Sequence, residues 1–133
     1  MSAVFLDTVG LLAEWDVADQ WHAAAEAAYL DLTARRLRFV TTTFVLLECG
    51  NAAARRPYRA EVVLLGRALD QRQELIVPTD QDWVEAWQAY ERGEAGQAGI
   101  VDHVSFSVMR RLGLTQAFTN DGHFRAAGFQ TLF

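Results

Sequence analysis

The chain has 133 residues, 51% of them hydrophobic and 22% charged, which suits one domain with a core of its own and excludes a disordered or fibrous chain. Its net charge is −5, and all 12 basic residues are arginine. The absence of lysine excludes Schiff-base chemistry and lysine-dependent phosphate loops, and the acidic balance leaves any contact with nucleic acid to local groups.

The longest apolar runs fall far short of the ~20 residues of a membrane span. The opening "MSAVFLDTVG" lacks a basic start and meets an acid at Asp7, unlike a secretory signal. A cytoplasmic protein without membrane contact is the expectation. The single cysteine, Cys49, closes no internal disulfide and reads as a small buried thiol.

In chain order, "AVFL" (3–6) predicts a buried strand ending at Asp7. Residues 17–37 are alanine-rich, with Trp21, Ala25, Ala28 and Leu32 at helical spacing. "RFVTT" (38–42) predicts a second strand, and one of Thr41 to Thr43 caps a helix over 44–56 that breaks near Pro57. A further helix is expected over 58–73, with Val62, Leu65 and Leu69 on one face. "ELIVP" (74–78) predicts a third strand, after which Asp80 or its neighbour caps a helix carrying Trp83, Trp87 and Tyr90. A glycine-rich connection (92–99) leads into a largely buried helix carrying Val101, Val104, Phe106, Val108, Met109 and Leu112. "TQAFTND" (115–121) predicts a fourth strand, followed by a short turn or helix and "FQTLF". Strands alternating with helices predict an α/β fold, a three-layer α/β/α sandwich around a mainly parallel sheet, as a single domain over 1–133.

Most of the 17 acids sit on polar helix faces or at helix starts, but Asp7, Glu48, Asp102 and Asp121 each interrupt or end an apolar run. A carboxylate beside a core is expensive unless it is paired or binds a metal, and no arginine is adjacent to any of the four. Taken singly, each has an ordinary reading as a turn residue, a helix-start acid or a surface glutamate. Taken together, Asp7 and Asp121 fall at carboxyl ends of strands, where open parallel sheets bind ligands, and Glu48 and Asp102 fall within about two turns of helix starts. Thr119 and Asp121 are two apart and share a side of an extended chain, and Ser105 shares a helical face with Asp102. Two carboxylates ~4 Å apart repel by about 4 kcal/mol at an effective dielectric near 20. Convergence of all four would therefore call for protonation or a divalent cation, and oxygen-only donors suit Mg2+ or Mn2+.

The segments "VFLDT", "LLECGNA", "GIVDHVSFSVMRRLG" and "AFTNDGHF" resemble, in order and spacing, the four acidic motifs of the PIN domain, and most closely its VapC-like toxin ribonucleases. The resemblance covers essentially the whole chain. It implies catalytic and metal-binding roles for Asp7, Glu48, Asp102 and Asp121, a supporting hydroxyl on Thr119 with Thr8 beside the first acid, and Mg2+ or Mn2+ as cofactor. It also implies an RNA substrate, a cognate antitoxin and a homodimer. Many relatives carry a serine directly after the first "DT", where this chain has Val9 and Gly10.

His103 and His123 flank the acids in sequence, yet neighbouring helical residues point ~100° apart, so His103 should not share a metal with Asp102. Both read as structural or peripheral, His22 more so, although His123 is placed to approach substrate. Of the arginine clusters, Arg55, Arg56 and Arg59 stand out, because they continue the helix bearing Glu48 at a reach of roughly 10 Å, suited to RNA backbone contacts. Trp83 and Trp87 read as core, and Trp15 and Trp21 as lining for a partner peptide or a second subunit. A haloacid-dehalogenase-type phosphatase is excluded: it needs a second Asp where Val9 stands, and a lysine. The alternatives that stay open are a non-catalytic PIN-like binding module and a metal-dependent nuclease acting on DNA.

Overall fold

Val4, Phe5 and Leu6 are completely buried in strand β1 (Ala3–Leu6), and a strand buried on both faces needs helices over both. The computed structural model, which describes residues 3–133, supplies them. The chain continues through α1 (Thr8–Trp15), α2 (His22–Ala34), β2 (Arg38–Thr42), α3 (Thr43–Ala53), α4 (Arg59–Gln71), β3 (Leu75–Ile76) and α5 (Asp80–Glu91). A single turn, α6 (Glu94–Gln97), then precedes α7 (Ile100–Leu112), β4 (Gln116–Phe118), α8 (Gly122–Ala126) and β5 (Gln130–Thr131). The strands lie in the order β3-β2-β1-β4-β5, and every pairing is parallel. This is the predicted α/β/α architecture. No helix among the described residues is long and apolar enough to cross a membrane.

The helix starts follow their capping chemistry. Thr42 accepts a hydrogen bond from the Val45 amide at 3.1 Å and caps α3. Thr79 and Asp82 form a reciprocal capping box at the start of α5. Helix α7 ends at Gly113, whose φ of 70° is the left-handed cap glycine favours, with Arg110 and Arg111 in the last turn facing the negative end of the dipole. From His103 to Met109 every residue of α7 is buried, so this helix is anchored through its middle.

Several boundaries differ from the sequence expectation. The helix expected over 17–37 begins only at His22, because the side chains of Asp16 and Asp19 bond the amides of Ala18 and Trp21 and hold residues 17–21 in turns. Helix α3 stops at Ala53, short of residue 56, since Pro57 disfavours helical backbone before it. Strands β3 and β4 are shorter than 74–78 and 115–121. Helix α1 and strand β5 were not expected at all. Trp83 and Trp87 are 50% and 41% exposed, so they are not core. They form an edge-to-face ladder with Phe44 and Tyr90 instead.

Helix α1 follows β1 with no loop between them, and Gly10 is what allows it. A Cβ there would lie 2.0 Å from the Phe118 carbonyl oxygen, at the end of β4. The missing side chain lets the turn after β1 sit directly against β4. Gly10→Ala should therefore destabilise the protein by about 3 kcal/mol, the upper part of the overpacking range, lowering the melting temperature by roughly 10 °C. Gly50→Ala, in exposed helix with nothing within 4 Å of the new carbon, should stabilise by ~0.5–1 kcal/mol. Calorimetry of the two variants checks the pair; equal melting temperatures would show that α1 can back away from β4.

Candidate active site

The strand order places a topological switch point between β1 and β4, because the chain moves outward from β1 to β2 and β3 and then returns to the other side of β1. Crevices beyond the carboxyl ends of strands at such points are where open α/β sheets bind ligands. Asp7 stands at the end of β1, and Thr119 directly follows β4. The Thr119 hydroxyl donates to Asp7 Oδ2 at 2.8 Å and accepts from the Asp121 amide at 3.1 Å. Asp7 also occupies the cap position of α1 without making a side-chain cap bond; its carboxylate is engaged across the sheet instead. Behind it, the Thr41 hydroxyl donates to the Leu6 carbonyl at 2.6 Å and stitches β2 to the same strand end.

Glu48, on α3, accepts a hydrogen bond from the Thr8 hydroxyl at 2.6 Å. Cys49 beside it is completely buried, and burial pushes its thiol up to about 12, so it stays a neutral packing group, as expected. Asp102 lies in the first turn of α7, where the helix dipole favours an acid. Asp121 caps α8, accepting the His123 amide at 2.9 Å. Burial pushes Asp7 up to about 8, with added repulsion from Asp102 and Asp121. Burial likewise pushes Asp102 up to about 6, with repulsion from Asp121 and Glu48 and partial relief from His123. Asp7 thus feels the charge of Asp102 and Asp121, and Asp102 that of Asp121 and Glu48. Of the four acids, only Asp102 and Asp121 belong to the group of ligand atoms that lie within 4.8 Å of one another.

A contrast within the fold gives this cluster its meaning. Two other acids are buried as deeply, and each has an arginine: Glu74 pairs with Arg38 at 2.9 Å, and Asp82 is held by Arg111 at 2.8 Å and by Ser107. That pairing holds the Asp82 carboxyl at about 2, against the opposing effect of burial. Asp7, 2% exposed, has no cation beside it among the described residues; its charged neighbours are further acids. A buried charge of this kind is tolerated when neutralised by a proton or a cation, and a set of carboxylate donors suits a hard divalent ion.

Of the expected supporting groups, Thr8 and Thr119 contact the acids. Ser105 does not: it is fully buried and its Oγ has no hydrogen-bond partner among the described residues. Arg55 and Arg56 lie beyond the end of α3 and Arg59 opens α4, all exposed, with the Arg59 guanidinium on the Ala54 carbonyl at 3.3 Å. His22 bonds the Ala13 carbonyl and His103 is buried in α7, both away from the acids as expected. His123, expected to be structural or peripheral, lies against the acids. Its Nδ1 lies 2.8 Å from Asp121 Oδ1, and Asp102, Asp121 and His123 each offer a ligand atom within 4.8 Å of the others.

With this geometry in place, the comparisons with known proteins agree. Residues 4–130 match the PIN domain family, and the chain belongs to it. It is similar, at 28% identity over 131 residues and 95% of both chains, to the 23S rRNA-specific endonuclease VapC20 from two strains of Mycobacterium tuberculosis. The crystal structure of M. tuberculosis VapC20, a sarcin-ricin-loop-cleaving toxin, superposes with a TM-score of 0.76 over 96% of each chain. DNA-bound VapBC from Salmonella typhimurium and FitAcB from Neisseria gonorrhoeae share the fold, with TM-scores of 0.62 and 0.61 at 16% and 15% identity. They cover 98% of this chain and 97% and 96% of theirs.

An acid whose folded-state pKa is raised holds a proton that the unfolded chain has already released, so stability falls as pH rises between the two values. The metal-free protein should lose stability from near pH 4 up to about 8 through Asp7, and up to about 6 through Asp102. Thermal melts in chelator across pH 5 to 8 should show this decline, flattened in Asp7→Asn. At pH 8 Asp102→Asn should melt higher than the parent chain by several degrees, as an order of magnitude. A lower melting temperature in Asp102→Asn would make that acid a structural one and remove the main support for a repelling cluster.

Proposed function

We infer that the protein is a Mg2+- or Mn2+-dependent endoribonuclease, the toxin of a toxin–antitoxin pair. The observation that carries this reading is Asp7: a carboxylate at the switch point, pushed up to about 8, beside two further acids and no arginine. Asp7, Asp102 and Asp121 would hold the metal, and Glu48 would complete the site. Bound there, a divalent ion supplies Lewis-acid stabilisation of a phosphodiester and acidifies an attacking water. The protein's own groups do the positioning. Thr119 fixes the Asp7 carboxylate through Oδ2 and the Asp121 backbone through its amide. Thr8 tethers Glu48 through one oxygen, leaving the other to orient water. Exposed Arg55, Arg56 and Arg59 supply contacts for flanking phosphates.

RNA as the substrate and a toxin's role are supported by the similarity to VapC20 along nearly the whole chain, and a cognate antitoxin by the family resemblance. Purified protein should cleave a mixed pool of single-stranded and hairpin RNA in Mg2+ or Mn2+ and not in EDTA. Asp102→Asn should lower the rate at least ~100-fold, about 2.7 kcal/mol of barrier. Cleavage equal in both proteins would assign the activity to a contaminant, and cleavage of DNA alone would overturn the RNA reading.

The same reading includes a homodimer. Trp83, Val84, Trp87 and Tyr90 leave an apolar face of α5 exposed, and we assign it to a second copy. Sedimentation velocity should find the parent chain dimeric and Trp83→Glu with Trp87→Glu monomeric; an unchanged dimer would place the interface elsewhere.

A further inference from the structure

The acidic cluster runs from the interior to the surface. Asp7 is 2% exposed, whereas the side chains of Asp121 and His123 are 19% and 42% exposed. The ligand atoms that lie mutually within 4.8 Å are those of Asp102, Asp121 and His123, and Asp7 is not among them. We propose that His123 is itself a metal ligand, so that the exposed end of the cluster offers a nitrogen–oxygen donor set and the site selects Mn2+ and Co2+ over Mg2+. The inference rests on the metal-nuclease reading above and goes beyond its four carboxylates.

The geometry is close to what ligation needs. Donors ~2.1 Å from one ion and at right angles to each other are roughly 3 Å apart, and His123 Nδ1 already lies 2.8 Å from Asp121 Oδ1. Ligation would need a slightly wider separation and a turn of the ring that points the Nδ1 lone pair at the ion instead of at Oδ1. The ring is also held in place. His123 is the second residue of α8, and its amide is fastened to the Asp121 carboxylate at 2.9 Å. On its other side lies the turn of α6, where a Cβ on Gly96 would meet the ring at 3.6 Å. Ala95, Gly96 and Gln97 all have left-handed backbone there, a conformation costly for Ala95 and Gln97. That turn packs on α8 and backs the imidazole.

Chemistry then separates two roles for the ring. Without a cation, Nδ1–H donates to Asp121 and only orients it, as outer groups orient ligating carboxylates. With a cation, the neutral tautomer carries its proton on Nε2 and offers the Nδ1 lone pair to the metal. One nitrogen cannot do both. An imidazole donor favours transition ions, whereas Mg2+ prefers oxygen and keeps its waters.

Metal-free full-length protein titrated with Mn2+ and followed by electron paramagnetic resonance distinguishes the roles. Pulsed spectra of the parent chain should carry a directly coordinated 14N signal. His123→Asn keeps an N–H donor near Asp121 but has no imidazole. It should lose the signal and bind Mn2+ about tenfold more weakly, with Mg2+ affinity by calorimetry changed less than about twofold; the tenfold is an order of magnitude for one lost ligand. Asp121→Asn should abolish tight binding of both ions. Mn2+ binding that depends on Asp121 but has no nitrogen signal, or that is unchanged in His123→Asn, would overturn the ligand role while the metal-nuclease reading stands. Mn2+ binding indifferent to Asp121→Asn would bring down both.

Discussion

One hydroxyl ties the two ends of this fold together. Thr119 lies 112 residues from Asp7 in sequence and 2.8 Å from its carboxylate in space, and the same oxygen receives the Asp121 amide. That geometry requires β1 and β4 to be neighbours, which only a chain that reverses direction across the sheet achieves. It also requires the turn after β1 to press against β4, which Gly10 permits. A neutral hydroxyl can orient a carboxylate but cannot cancel its charge. The pairings of Glu74 with Arg38 and of Asp82 with Arg111 show that the fold can supply arginines to buried acids; at the switch point it does not. Uncompensated negative charge is therefore the property around which the site is arranged.

Desolvation is why much of this could be read from the sequence. A carboxylate beside a core leaves a mark that a surface carboxylate does not, an acid breaking an apolar run, and Asp7, Glu48, Asp102 and Asp121 all leave it. The alternation of strands and helices was equally readable, because the period of apolar residues is set locally. Helix α1 left no such mark: it has eight residues, includes Val9 and Gly10, and its cap residue turns its side chain elsewhere. The extent of β3 was hidden too, since apolar Val77 and Pro78 continue past its last paired residue, and β4 stops at Phe118 because Thr119 turns its hydroxyl to Asp7. Spacing places Trp83 and Trp87 on one face of α5, but whether another element covers that face is decided by the tertiary fold. Ser105 fails in the same way, sharing a face with Asp102 in a helix whose middle is wholly enclosed. The pairing of His123 with Asp121 is hidden for another reason: the return of the ring onto the carboxylate depends on the local geometry of a helix cap, which residue spacing does not specify.

Why an acid should sit on so apolar a helix as α7 follows from the demand for rigidity. A metal site needs its donors held within about half an ångström, and the most rigid elements are those with most buried surface. Val104, Phe106, Val108 and Met109 are at most 1% exposed, and each contributes roughly 1.5–3 kcal/mol through burial. The helix dipole returns only ~0.3–1 kcal/mol for an acid in the first turn, less than the burial that pushes Asp102 up to about 6 takes away. The helix core, not the dipole, is what tolerates Asp102. The same holds for Asp7 at the end of β1, whose Val4, Phe5 and Leu6 are fully enclosed. Moving either acid to a surface loop would relieve the repulsion and lose the fixed geometry that the proposed metal site requires.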